Sequence, residues 1–249
     1  MSEVFDNRLR LLMGEGLYAG NIFVKPKTLR EIVKTGYSNH MTLLNVISLT
    51  HEDILNEELE DEMLEQMRSF TVCEILFIFG AEDLKDSYKE ALEYFLDAKF
   101  EGIDASTHTI RMSGDLEIDS STLKEILRVL RKQNGQDGSV EDKVNESNAK
   151  SEKAKKILEK LQKGKKKVEE IKRKDNPSED TMDFYSIVSA VSTKSNSINK
   201  LNVWDLTLHQ LYDEFDRLQI IDGYNTSLAA MMQGAEIKDL KHWASKVEE

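Results

Sequence analysis

From residue 204 onward, apolar side chains recur as Trp204, Leu208, Leu211, Phe215 and Leu218, at spacings of 4, 3, 4 and 3. That period lines them up as one stripe along a helix, and such a stripe has to be buried against something. The helix is expected to begin at Val203, with Asn202 as its cap and Asp205 in its first turn. Gly223 or Asn225 is expected to bend or break it. Further helices are expected over 226–232 and 239–247. A small amphipathic helix over 182–191 carries Phe184, Ile187, Val188 and Val191 on one side, and 192–199 reads as a polar hinge.

The N-terminal half mixes both periods. Leu17 and Tyr18, then Gly20-Asn21, then Ile22 to Val24 read as a hairpin-like strand pair. Pro26 and Thr28 open a helix with Leu29, Ile32 and Val33 on one face, ended by Gly36 or Asn39, and an apolar helix restarts over 41–48. Residues 57–79 read as one long helix, acidic at its start as the macrodipole favours and stopped by Gly80. Residues 86–100 form an amphipathic helix with Tyr88, Leu92, Phe95 and Leu96 inward. Ile110 and Met112, Ser113-Gly114-Asp115, then Leu116 and Ile118 alternate around a turn as a hairpin does. A helix over 121–134 follows, with Ser121 as its cap and Gly135 as its left-handed stop.

Between the halves the composition shifts. Residues 135–147 have only Val140 and Val144 as apolar side chains larger than alanine and read as a linker. A lysine-rich helix over 148–174, with Ile157, Leu161, Val168 and Ile171 in a heptad, ends at Asn176-Pro177. The expected fold is therefore mainly α with small β-hairpin elements. A mainly helical α+β domain covers 1–135, linker and lysine-rich helix cover 136–180, and an all-α domain covers 181–249.

Composition narrows the function. The chain has 249 residues, 32% of them charged, and a net charge of −12. Residues 1–140 carry 26 acidic against 15 basic side chains, 141–175 carry 8 against 13, and 176–249 carry 12 against 6. Acidic ends speak against a general nucleic-acid binder. The lysine-rich helix lacks interleaved aromatics and matches its lysines with Glu159, Glu169 and Glu170, so it reads as a solvated or partner-facing face. The one cysteine, Cys73, excludes an internal disulfide, fits a reducing compartment, and sits in an apolar run as a buried, inert thiol. No apolar run reaches bilayer length and the N-terminus lacks a secretory pattern, so a soluble, cytoplasmic protein is expected.

Chemistry is sparse. Gly14, Gly16 and Gly20 lack the strand and helix that a dinucleotide fingerprint needs, and Gly164-Lys165 is no phosphate loop. The histidines (His40, His51, His108, His209, His242) do not pair at ligand spacing. His51 with Glu52 and Asp53 falls short of the three or four converging ligands a metal site wants. The acidic stretch 57–65 alternates with Leu59, Met63 and Leu64 and reads as a solvated face. No catalytic residue, cofactor site or metal site is assigned, and a non-enzyme is expected. The candidate partner-binding residues are Trp204, Leu208, Leu211, Tyr212, Phe215 and Leu218.

Several stretches resemble tail-morphogenesis proteins of phages and prophages of Gram-positive bacteria. KPKTLREIVKTGYSNHMTLLNVIS (25–48), LEIDSSTLKEILRVLRKQNG (116–135) and AKKILEKLQKGKKKVEEIK (154–172) carry the likeness. So do IVSAVSTKSNSINKLNVWDLTLHQLYDEFDRLQ (187–219) and QGAEIKDLKHW (233–243). The resemblance implies a tail assembly chaperone in the host cytoplasm, which binds the tape-measure protein and helps recruit tail tube subunits. No membrane partner is expected, and self-association is compatible with the sequence. The resemblance supplies no functional residues to transfer. The rival readings are a structural component of the tail or baseplate, and an enzyme or nucleic-acid factor using the basic helix.

Overall fold

In a computed structural model, the residues described are 2–49, 70, 72–79, 82–104, 106–135, 183–237, 240 and 242–245. The elements run α1 (Ser2–Leu12), β1 (Leu17–Ala19), β2 (Ile22–Val24), α2 (Leu29–Thr35), α3 (Tyr37–Ile47), α4 (Val72–Phe79) and α5 (Glu82–Leu96). Then come β3 (Phe100–Asp104), β4 (Thr109–Met112), β5 (Leu116–Ile118), α6 (Ser120–Gln133), α7 (Phe184–Lys194), a 3-10 turn (Val203–Asp205) and α8 (Leu208–Met232). The fold is mainly helical with two small antiparallel sheets and a helical C-terminal region.

Turn chemistry builds both sheets. Gly20 takes φ +59 at the tip of the first hairpin, and Leu17 pairs Val24 across it. The alternation at 110–118 does form a hairpin, with Ile110 opposite Ile118 and Met112 opposite Leu116. A third strand, β3, was not expected. The helix expected to reach residue 100 stops at Leu96, Asp97 turns left-handed at φ 51, and Phe100 begins the strand. A register shift between Phe100 and Gly102 interrupts the period of two that would have revealed it.

Caps account for most other differences. Thr28 closes a capping box with Glu31 and starts α2, whose Leu29 and Ile32 are buried while Val33 is exposed, contrary to its expected inward face. Asp119, not Ser121, caps α6; its carboxylate accepts from the Thr122 N–H at 2.7 Å. Gly135 does take the left-handed conformation, at φ +68. Phe70 lies in a bend before α4, so no single helix runs through to residue 79. The stretch 50–69, the expected linker and lysine-rich helix over 136–180, and Gly80 lie outside the described residues. Helix α1 was unforeseen: eleven residues form a marginal helix alone, and here its packing on α8 and β1 holds it.

Two cores result. The larger joins the first hairpin, α3 to α6 and the three-stranded sheet around Leu44, Ile47, Leu92 and Ile126. Gln133 ties α6 to the hairpin by donating its side-chain N–H to the Val24 carbonyl at 2.7 Å. Cys73 is buried in this core, and desolvation pushes its thiol well above the usual range, as befits an inert packing residue. Tyr88 is fully buried, and its phenol oxygen has no hydrogen-bond partner among the described residues. An unmet buried hydroxyl costs about 1–3 kcal/mol. Tyr88→Phe should therefore raise stability by about 1 kcal/mol, and a denaturant midpoint that falls instead would contradict that placement.

His40 is the other buried polar group of note. Its Nδ1 lies 3.0 Å from the Tyr94 hydroxyl and its Nε2 lies 2.8 Å from Asn134 Oδ1. Asn134 donates its own amide to Leu130 O, so its oxygen is the acceptor toward His40. The ring is thus the Nε2–H tautomer, with Tyr94 donating to Nδ1. Burial, reinforced by the charge of Lys27, holds its pKa below the ordinary histidine value, against the opposing pull of the Asn134 bond. The unfolded chain then binds more protons than the folded one below about pH 6.5. Stability should be complete above that pH and fall as the pH drops through it. Denaturant titrations from pH 7.5 to about pH 5 should show this slope, reduced in His40→Gln.

Candidate interaction surface

The C-terminal core decides which apolar residues remain available to a partner. Leu29 and Ile32 of α2 pack with Val188 and Val191 of α7, Val203, and Leu208 and Leu211 of α8. The backbone stitches these segments together: Thr28 bridges Thr207, and the Leu29 N–H donates to Leu206 O at 2.7 Å. Arg30 adds an exposed pair with Asp205 at 2.8 Å. Tyr37 stacks on Phe184 with ring centroids 4.1 Å apart, closing the far side.

The six residues expected to bind a partner occupy this core or its margin. Leu208 and Leu211 are buried inside it, while Tyr212, Phe215 and Leu218 are half-buried against it. Trp204 is half-buried too, but it sits in the 3-10 turn rather than on the helix, with its indole N–H on the Lys200 carbonyl at 2.9 Å. The helix starts later than expected because Thr207 and Gln210 form a capping box, a signal the Asn202 assignment overlooked. Asn202 instead closes the loop before it, accepting from the Asn199 N–H and donating to Ser197 O. In this structure the stripe covers the chain's own α2 and α7.

Helix α8 does not break at Gly223 but runs unbroken to Met232, about 37 Å long. Residues 226–232 belong to it, and the described part of 239–247 is turn rather than helix. In its second half the apolar residues change sides. Ile221, Tyr224, Leu228 and Met231 repeat at spacings of 3, 4 and 3, on the face opposite Leu211 and Phe215. The segment around Trp243 lies along the start of this second stripe: Arg217 donates to the carbonyls of Trp243 and Ser245 at 2.9 and 2.7 Å, and His242 meets the Tyr224 ring edge-on. Beyond it Leu228 and Met231 are exposed, and Met232 is 89% exposed.

Charge sets this end of α8 apart. Residues 223–235 contain no Asp, Glu, Lys or Arg, in a chain where a third of positions are charged. Helix α3, also uncharged, spends its side chains on the core. The end of α8 is uncharged and exposed, whereas Asp213, Glu214 and Asp216 make its first half acidic. Asp216 shows the crowding there, its carboxyl held above its ordinary value by burial first and by Asp213 second. With a break expected at Gly223 or Asn225, this second stripe is divided between two helices in the sequence and does not read as a site there.

Other candidate chemistry is dispersed. His108 meets the buried carboxylate of Glu74 at 2.9 Å, which fastens the β3–β4 turn to α4. A cleft of about 300 Å³ opens between Met13, Pro26, Ile198 and Gln210, with Asp205 as its one carboxylate. Among the described residues no group of three or more His, Cys, Asp or Glu is placed to hold a metal ion. No described helix is long and apolar enough to cross a membrane. His51 with its neighbours, the 57–65 acidic stretch and Gly164-Lys165 lie outside the described residues.

Residues 172–248 match the family model of the YomV second domain, a phage-derived family name. The match suggests a phage protein. It takes in α7, the 3-10 turn and all of α8, whose core is completed from outside the matched segment by Leu29 and Ile32. No curated protein and no solved structure matches the chain.

Proposed function

We propose that this chain is a non-enzymatic phage tail-assembly chaperone that holds the tape-measure protein in the host cytoplasm and assists growth of the tail tube. The observation that carries the reading is the exposed end of α8, with Leu228, Met231 and Met232 outward on a helix without charges over 223–235. A tape-measure protein is a long helical client, and a helical client is held by apolar anchors at i, i+3 and i+4 spacing. Methionine suits such a task, because its unbranched, polarizable side chain adapts to varied partner shapes. The phage-derived family match fits a phage protein, and the sequence resemblance points to tail assembly. The acidic body, at −12 overall, keeps a chaperone–client complex soluble.

Co-expression tests the proposal. The tape-measure protein should co-purify with this chain and precipitate without it; equal solubility in its absence refutes the assignment. Mass spectrometry of purified particles separates the rival tail or baseplate component. A chaperone is absent from finished virions, whereas a building block appears in fixed copy number.

A further inference from the structure

We propose, on the reading that the end of α8 grips a helical client, that Met231 and Met232 are a modification site whose oxidation by peroxide loosens that grip. Three exposed large apolar side chains make up this end: Leu228 at 36%, Met231 at 43% and Met232 at 89%. Residues three and four positions on along a helix lie about 60° to one side and about 40° to the other. Met231 and Met232 therefore flank Leu228, and two of the three anchors carry a thioether. The Gly234 N–H donates to Met231 O at 2.9 Å, and the Ala235 N–H to Ala230 O at 3.0 Å. These bonds close the helix and hold both methionines in its last turn.

In the reaction a sulfur lone pair attacks one oxygen of hydrogen peroxide, the O–O bond breaks and an S–O bond forms. Sulfur is oxidised by two electrons, and the departing oxygen takes up the proton of the transferred one and leaves as water. The product is a polar, chiral sulfoxide. Residues 223–235 hold no Lys or Arg to pair with its oxygen. The apolar stripe of a client offers no donor either, so docking would bury that oxygen unmet. Exposure selects these two sulfurs, because the peroxide has to reach them. Met112 is 1% exposed within β4, and Met41 packs against the larger core. Met13, exposed just beyond α1, should react as readily and serves as an internal reference. Methionine sulfoxide reductases reverse the change.

The full chain, treated alone with hydrogen peroxide and desalted before it meets the tape-measure protein, tests this, with oxidation mapped by peptide mass spectrometry. Met232, Met231 and Met13 should oxidise at least about tenfold faster than Met112. The oxidised chain should capture about fivefold less client. Reductases for both sulfoxide epimers should restore capture. Met231→Leu/Met232→Leu keeps the surface apolar and retains every other methionine, so it should capture client equally before and after peroxide. Undiminished capture by the oxidised parent overturns the proposal. So does an equal loss in the leucine variant, or a Met232 that oxidises no faster than Met112. A reduced parent that captures no client refutes the client-binding reading itself, and the switch with it.

Discussion

Leu211→Ala is expected to lower the stability of the chain by about 3 kcal/mol, the cost of a cavity in a core that cannot collapse around it. Leu211 is completely buried between α2 and α7, and its neighbours Leu29, Ile32 and Val191 are fixed by their own elements. Leu218, on the same stripe but half-buried, should cost only about 1 kcal/mol when cut to alanine. Urea titrations of the two variants side by side check the contrast. A residue kept mainly for a partner would give the reverse pattern, with little stability lost at Leu211.

Gly135→Ala is the second large effect, at about 2–5 kcal/mol, because two costs coincide. The left-handed backbone at φ +68 costs a side chain about 1–2 kcal/mol. An added Cβ would also stand 2.7 Å from Cδ2 of Tyr212, and forcing that ring aside adds about 1–3 kcal/mol. The glycine lies where the end of α6 meets α8, one residue after the Asn134 that holds His40. A double-mutant cycle with Tyr212→Ala separates the terms, since removing the ring should leave only the backbone part. Additive losses would mean that the close contact between Gly135 and Tyr212 is absent.

Local chemistry was legible in the sequence, and long-range assembly was not. The Gly20-Asn21 and Ser113-Gly114-Asp115 turns announce their hairpins because a hairpin depends mostly on its own turn residues. Strand β3 stayed hidden because the shift at Gly102 breaks its alternation. Gly223 reads as a breaker, yet a glycine costs a helix only about 1 kcal/mol, too little to end one with this much packing behind it. The stripe from Leu208 to Leu218 was visible as a stripe. Its covering by Leu29 and Ile32, some 180 positions earlier, follows from no local pattern. The second stripe, from Ile221 to Met231, stayed hidden because Gly223 and Asn225 sit inside it and read as helix breakers.

In the proposed function, the far end of α8 is where the client is gripped. The most direct test is capture of the tape-measure protein by the full chain and by a Leu228→Glu/Met232→Glu variant, with melting temperatures measured in parallel. Both side chains are exposed, so the variant should melt with the parent and capture at least about tenfold less client. Equal capture by the two proteins would contradict the account.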